Sequence, residues 1–212
     1  MKKPGIILIG GGGHCKSCID VIEQDGNFHI AGIIDLKERI GEKILGYPII
    51  GSDDDLKALS NKYDYYFITL GQIKSSDHRK ELFEKIKHLG KTLPTIISPK
   101  AYVSIYAEIG EGSIVMHNAT INASSKIGSN CIINSMALIE HDSVINNNCH
   151  ISTRATINGN CIINEGNFIG SGTVINQGVF IEENCVIGSG STVLKDIKIE
   201  KSIWAGNPAR MK

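Results

Sequence analysis

From Ala101 to Pro208 the chain divides into 18 hexads without remainder, and 17 of them carry Ile or Val at the third position. The series runs from Val103 and Ile109 through Ile187 and Val193 to Ile199, and only Ala205 departs from it. First positions are mostly small: Ala, Ser, Thr or Cys. A helical face repeats every 3.6 residues, so a sustained apolar period of six excludes helix and predicts a β-solenoid. With three short strands to a triangular turn, the blocks make about six coils, stacked at the inter-strand spacing of roughly 4.8 Å. Residues three hexads apart then lie above one another, as in Ile133, Ile151, Ile169 and Ile187. Asn- and Gly-rich corners turn outward. A solenoid needs its ends covered, and its architecture alone names no chemistry.

The residues before the repeat read as a different kind of structure. Residues 5–10 (GIILIG) are an apolar strand, followed by Gly10-Gly11-Gly12-Gly13-His14 and an amphipathic stretch to about Asp25. Strand, glycine turn and helix place free N–H groups and the positive dipole end at the turn, which suits a phosphate or diphosphate. A second strand, Phe28 to Ile34, ends in Asp35, 22 residues after Gly13. That is the separation at which a Rossmann unit sets an acid on a ribose hydroxyl. Ser52 caps a helix led by Asp53, Asp54 and Asp55, read as first-turn carboxylates complementing its dipole rather than as a metal site. Tyr65–Leu70 is a third strand ending at Gly71, Lys74–Leu89 a helix, and Thr95–Ser98 a last strand before Pro99. The expected organisation is a small Rossmann-like βαβαβ domain over residues 1–98 and the solenoid over 99–212, an α/β unit joined to an all-β one. The first unit is too short for a full dinucleotide fold and suits a nucleotide-sugar better than NAD.

Charge and cysteine content narrow the possibilities. Lys+Arg and Asp+Glu balance at 22 each, which argues against nucleic acid or anionic lipid as a partner. The first apolar run is too short to span a bilayer and leads into glycines rather than a cleavage site, so the expectation is a cytoplasmic protein without membrane insertion. Cys131, Cys149, Cys161 and Cys185 occupy first positions of hexads and read as small buried residues. Cys15 and Cys18 form a CxxC with no second ligand pair, and read as two small residues early in a helix.

Two hexads depart from plain corner chemistry. ALIEHD ends in Glu140-His141-Asp142, and CHISTR carries His150 at its second position. A carboxylate bonded to an imidazole fixes its tautomer and raises its basicity, which makes His141 with Asp142 a candidate general base. Together with GGGGH and the terminal GNPAR, these residues give the whole chain a resemblance to the bacterial sugar-nucleotide acyltransferases of the hexapeptide-repeat superfamily. It looks most like the amino-sugar N-acetyltransferases of the bacillosamine pathway and the sialic acid O-acetyltransferases.

That resemblance implies a left-handed parallel β-helix, acetyl-CoA as co-substrate, no metal, and a homotrimer with active sites between solenoids. It places the base on His141, its orienting acid on Asp142, and the acetyl-CoA site at His150, Ser171, Gly188 and Ser189. Nucleotide-sugar contacts fall on Gly11, Gly12, Gly13, Asp35 and Gly71, with Leu36 where some relatives carry a second acid. The implied activity is N-acetylation of a nucleotide-linked 4-amino-4,6-dideoxy sugar in bacterial glycan biosynthesis. Alternatives are a sialic acid O-acetyltransferase, a γ-carbonic anhydrase-like zinc enzyme using His117, His141 and His150, and a non-catalytic nucleotide-sugar-binding protein.

Overall fold

A computed structural model describes residues 3–212. β1 (Gly5–Ile9), α1 (Gly13–Asp25) and β2 (His29–Ile34) form the first parallel unit. β3 (Lys43–Ile44) and β4 (Tyr47–Gly51) make a hairpin whose second strand pairs in parallel with β2. The short α2 (Leu56–Leu59) leads to β5 (Tyr65–Ile68), which lies parallel to β1, and α3 (Asp77–His88) completes the unit. Sheet order is β3-β4-β2-β1-β5. Central β1 is apolar on both faces because both are covered. Ile6 and Leu8 pack with α1, while Ile7 and Ile9 pack with α3. Cys15 and Cys18 are free and buried in α1, and burial raises both thiols above their ordinary range. The acidic triplet is a single 3-10 turn: the Asp55 carboxylate accepts the Ser52 N–H at 2.8 Å and closes a capping box.

The solenoid takes three parallel faces, each repeating after three hexads. Ile133 pairs with Ile151, Ile151 with Ile169 and Ile169 with Ile187, all fully buried. The small first positions share that interior, Cys131, Cys149, Cys161 and Cys185 among them. From Gly112 to Gly190 every sixth position adopts left-handed backbone, either as Gly or as Asn and its substitutes, including Asp142 at φ 61°.

Two expectations are corrected. The strand before Pro99, Ile96–Ile97 (β6), pairs with Ile114–Val115 and belongs to the solenoid rather than to the N-terminal sheet. At the far end the period shortens. Ile197 takes the bridge to Ile181 that the repeat assigns to Ile199; it is 1% exposed, whereas Ile199 is 53% exposed. Asp196 causes the contraction locally, accepting the Phe180 N–H at 3.0 Å where a coil backbone would otherwise pair. Ile203–Ala205 then stacks on the last coil, with Trp204 over Ile187, and Arg210–Met211 pairs antiparallel with it as the outermost strand.

One solenoid face carries the N-terminal domain. Ile114, Met116 and Ile132 point out of the coil into the same core as α1 and β1. The buried Arg79 guanidinium ties α3 to that face, donating to the Leu70 carbonyl at 2.6 Å and to Asn130 Oδ1 at 2.8 Å.

Candidate active site

The glycine turn divides its work among four residues. Gly10 sits at φ 101°, and a Cβ there would overlap the Leu70 side chain at 2.3 Å. Gly11 abuts the Asp35 carboxylate, where a Cβ would come within 2.4 Å of Oδ2. Around Gly12, the N-cap of α1, and Gly13 a Cβ would meet nothing within 4 Å, so their open side is free for a ligand at the helix N-terminus. Asp35 is already engaged: Oδ1 accepts the Leu36 N–H at 2.9 Å and Oδ2 accepts Arg39. Arg39 was not foreseen, although Asp35-xxx-Arg39 is a spacing that can pair. Beside the turn lies a cavity of about 270 Å³, lined among others by Gly10, Asp35, Leu36, Lys37 and Asp53. Gly71 stands next to His14, with a built Cβ at 3.7 Å from that residue's Cβ.

Packing of the two domains brings His14 and His150 together. Their ring centroids are 6.4 Å apart, a proximity hidden by their distance along the chain. His150 is 7% exposed, and its Nδ1–H donates to the Gln72 carbonyl at 2.7 Å. A carbonyl only accepts, so the proton is on Nδ1, and Nε2 receives Asn134 Nδ2 at 3.2 Å. Phe168 meets the ring edge-on at 5.2 Å. Desolvation lowers the His150 pKa to about 4 against the pull of the Gln72 bond, with Arg79 adding to the decrease. His14 is pushed to about 3, by burial first and then by His150 and Arg79, and its enclosed Nε2 has no partner. Both rings are therefore neutral near pH 7. Gln72, Asn134 and His14 were missed; a histidine directly after the glycines was the available signal for the last.

His141 lies elsewhere. It occupies the corner between the second face (Leu138–Ile139) and the third (Val144–Ile145), and in a triangular coil that corner is opposite the face bearing the N-terminal domain. Its Nδ1 meets Asp142 Oδ2 at 2.7 Å, with both side chains more than half exposed. The imidazole thus has its proton drawn to Nδ1, which leaves Nε2 as the ring's acceptor.

Ser171 and Ser189 share a different corner, one coil apart, on the turns that follow the strands Phe168–Ile169 and Val186–Ile187. Ser171 Oγ bonds Ser152 Oγ at 2.9 Å. Gly188 packs under the strand Ile203–Ala205, where a Cβ would be 2.9 Å from Ala205 Cβ.

The zinc arrangement considered from sequence does not assemble within the chain. His117 has both ring nitrogens occupied, by Ser98 Oγ at 2.6 Å and Asp20 Oδ2 at 2.7 Å. His141 and His150 occupy separate sides of the coil, and no group of three or more His, Cys, Asp or Glu able to hold a metal occurs among the described residues. No described helix is long and apolar enough to cross a membrane.

Residues 5–86 match the family described as PglD N-terminal domain, and residues 106–141 match bacterial transferase hexapeptide (six repeats). Over 98% of its length the chain is similar to perosamine N-acetyltransferase from Caulobacter crescentus, covering 96% of that chain at 30% identity and a TM-score of 0.91. The chain belongs to the bacillosamine-type sugar N-acetyltransferases. That Caulobacter family member was solved as its H141N mutant in complex with CoA and GDP-perosamine. A second member, the acetyltransferase domain of PglB from Neisseria gonorrhoeae, was solved in complex with acetyl coenzyme A. It shares 30% identity, over 99% of this chain and 100% of that one, at a TM-score of 0.90. WeeI from Acinetobacter baumannii matches at 25% identity, over 98% and 100% of the two chains, with a TM-score of 0.85. A search of curated proteins gave no match.

Proposed function

We propose that this protein transfers the acetyl group of acetyl-CoA to the amino group of a nucleotide-linked 4-amino-4,6-dideoxy sugar, with His141 as general base. The observation that carries this reading is the His141–Asp142 pair, 2.7 Å apart on an open corner of the coil, with Nε2 left as the acceptor. The amine attacks the thioester carbonyl and its proton passes to His141 Nε2. The tetrahedral adduct then expels the CoA thiolate, which takes the proton back. Asp142 holds the tautomer and stabilises the imidazolium formed in between. Gathering both substrates in one cleft supplies much of the acceleration.

The nucleotide-sugar binds the N-terminal domain, its diphosphate on the open side of Gly12 and Gly13 and its nucleoside by Gly11, Asp35 and Gly71. Asp35 reaches a ribose hydroxyl only by sharing its carboxylate with Arg39. The solenoid domain supplies the acetyl-CoA channel at His150, Ser171, Gly188 and Ser189. A neutral His150 fits that place, since it adds no charge beside a thioester. His141 stands opposite the face that carries its own nucleotide domain, so the site is completed by a neighbouring copy. A homotrimer, with the His141 corner of one solenoid set against the docked face of the next, meets that requirement.

Thiol release from acetyl-CoA, measured across GDP-, UDP- and dTDP-linked 4-amino sugars with free and CMP-linked sialic acid alongside, tests the reading. Turnover confined to an amino-sugar nucleotide, and lost in His141→Ala, is expected. Acetylation of sialic acid, or undiminished turnover in His141→Ala, would refute it.

A further inference from the structure

The fifth position of a hexad is the outermost point of its turn and takes almost any residue: Glu111, Asn147, Thr153, Gln177 and Lys195 all stand there. In the sixteen hexads from Ala101 to Asp196 it is glycine only once, at Gly159, one full coil beyond His141. The backbone does not demand that glycine, because Gly159 is not among the residues with left-handed φ. What demands it is the neighbour. A Cβ built on Gly159 would lie 2.8 Å from His141 Cε1, 2.9 Å from Nε2 and 3.3 Å from Nδ1. Three consecutive ring atoms therefore rest over the bare Cα. On the preceding coil the corresponding residue is Ala123, also small, whose carbonyl accepts the Asp142 N–H at 3.2 Å.

We infer that Gly159 is a positioning residue for the transfer reaction: its missing side chain is the seat on which the His141 imidazole lies while Asp142 holds Nδ1. The inference rests on the reading of His141 as base. The seat itself is rigid. The Asn160 N–H donates to the His141 carbonyl at 2.9 Å, the Gly178 N–H donates to the Gly159 carbonyl at 3.0 Å, and Ser143 Oγ donates to the Asn158 carbonyl at 2.9 Å. The ring is the yielding partner, since more than half of the His141 side chain is exposed and free to swing outward. A methyl group at position 159 thus moves the imidazole rather than the coil. Displacement by about 1 Å of a group that must meet a proton in the transition state is enough for a loss of up to about 100-fold.

Gly159→Ala, His141→Ala and the double variant, assayed with acetyl-CoA and the preferred amino-sugar nucleotide, test this. Gly159→Ala is expected to lower kcat by about 10- to 100-fold. Both KM values and the melting temperature stay near wild type. In the His141→Ala background the same substitution should have no further effect, because Gly159 acts only through the ring. A raised KM for acetyl-CoA with kcat intact would overturn the inference, showing that the glycine clears room for the co-substrate. So would a large fall in melting temperature or loss of assembly, which would mean that the backbone yields instead. Wild-type turnover in His141→Ala would refute the base assignment itself, whereas an impaired His141→Ala beside an unimpaired Gly159→Ala would refute the seat alone.

Discussion

Mild acid should loosen this fold through two particular residues. His14 and His150 are held neutral, at about 3 and about 4, against an ordinary value of 6.5. When the folded pKa is lowered, the unfolded chain takes up the proton first, so stability falls as pH drops below 6.5 and the loss grows until the folded ring also titrates. Between pH 7 and pH 5 each ring stays neutral in the folded state while it charges in the unfolded one, a cost of about 2 kcal/mol apiece and about 4 kcal/mol together. Urea unfolding followed by circular dichroism at pH 7, 6 and 5, at fixed protein concentration, gives the wild-type dependence. The same series on the His14→Gln, His150→Gln double variant subtracts the contribution of every carboxylate, which is common to both proteins. The wild type should lose about 4 kcal/mol more than the variant over that interval. Parallel stability–pH lines would refute the argument, since they would mean that the rings are not desolvated in the folded protein.

Replacing Asp142 with Asn should leave the melting temperature and both KM values near wild type while kcat falls by at least tenfold, because the amide no longer favours the imidazolium; steady-state kinetics check this. Ile151→Ala opens a cavity in the middle of the buried ladder, so chemical denaturation should show a loss of about 2–5 kcal/mol. Arg79→Met strips the Leu70 and Asn130 acceptors of their donor inside the domain junction, with an expected cost of about 2 kcal/mol or more in the same assay. Arg79→Lys should not restore it, since an ammonium cannot span both segments as the guanidinium fork does.

The repeat was legible because each coil contacts little beyond the coils beside it, so a period of three hexads in sequence is a vertical contact in space. Ile133 above Ile151 follows from counting, as does the small interior place of Cys149. Counting failed where a single side chain altered the period. Asp196 replaces a backbone partner, and the inward position passes from Ile199 to Ile197. It also failed at the domain junction. Nothing in GGGGH or in CHISTR says that His14 and His150 meet, since that depends on how α1 docks against the coil. The His141–Asp142 bond could be anticipated as a neighbouring pair. Gly159 beneath it could have been found by asking which fifth position breaks the pattern one coil after the suspected base.

Ile114, Met116 and Ile132 belong to the core that α1 and β1 also share, and this has a consequence for the order in which the chain is made. As residues 5–86 leave the ribosome they carry strands and helices but lack part of their apolar covering. The missing surface is supplied only after Ile132 has emerged and the first coils have closed. A nascent chain arrested shortly after Ser98 should therefore remain open to protease. One arrested late enough for Ile132 to clear the ribosome should become resistant in a single step. The solenoid starts as the foundation on which the domain before it is completed, and the later coils are laid on a base that is already set.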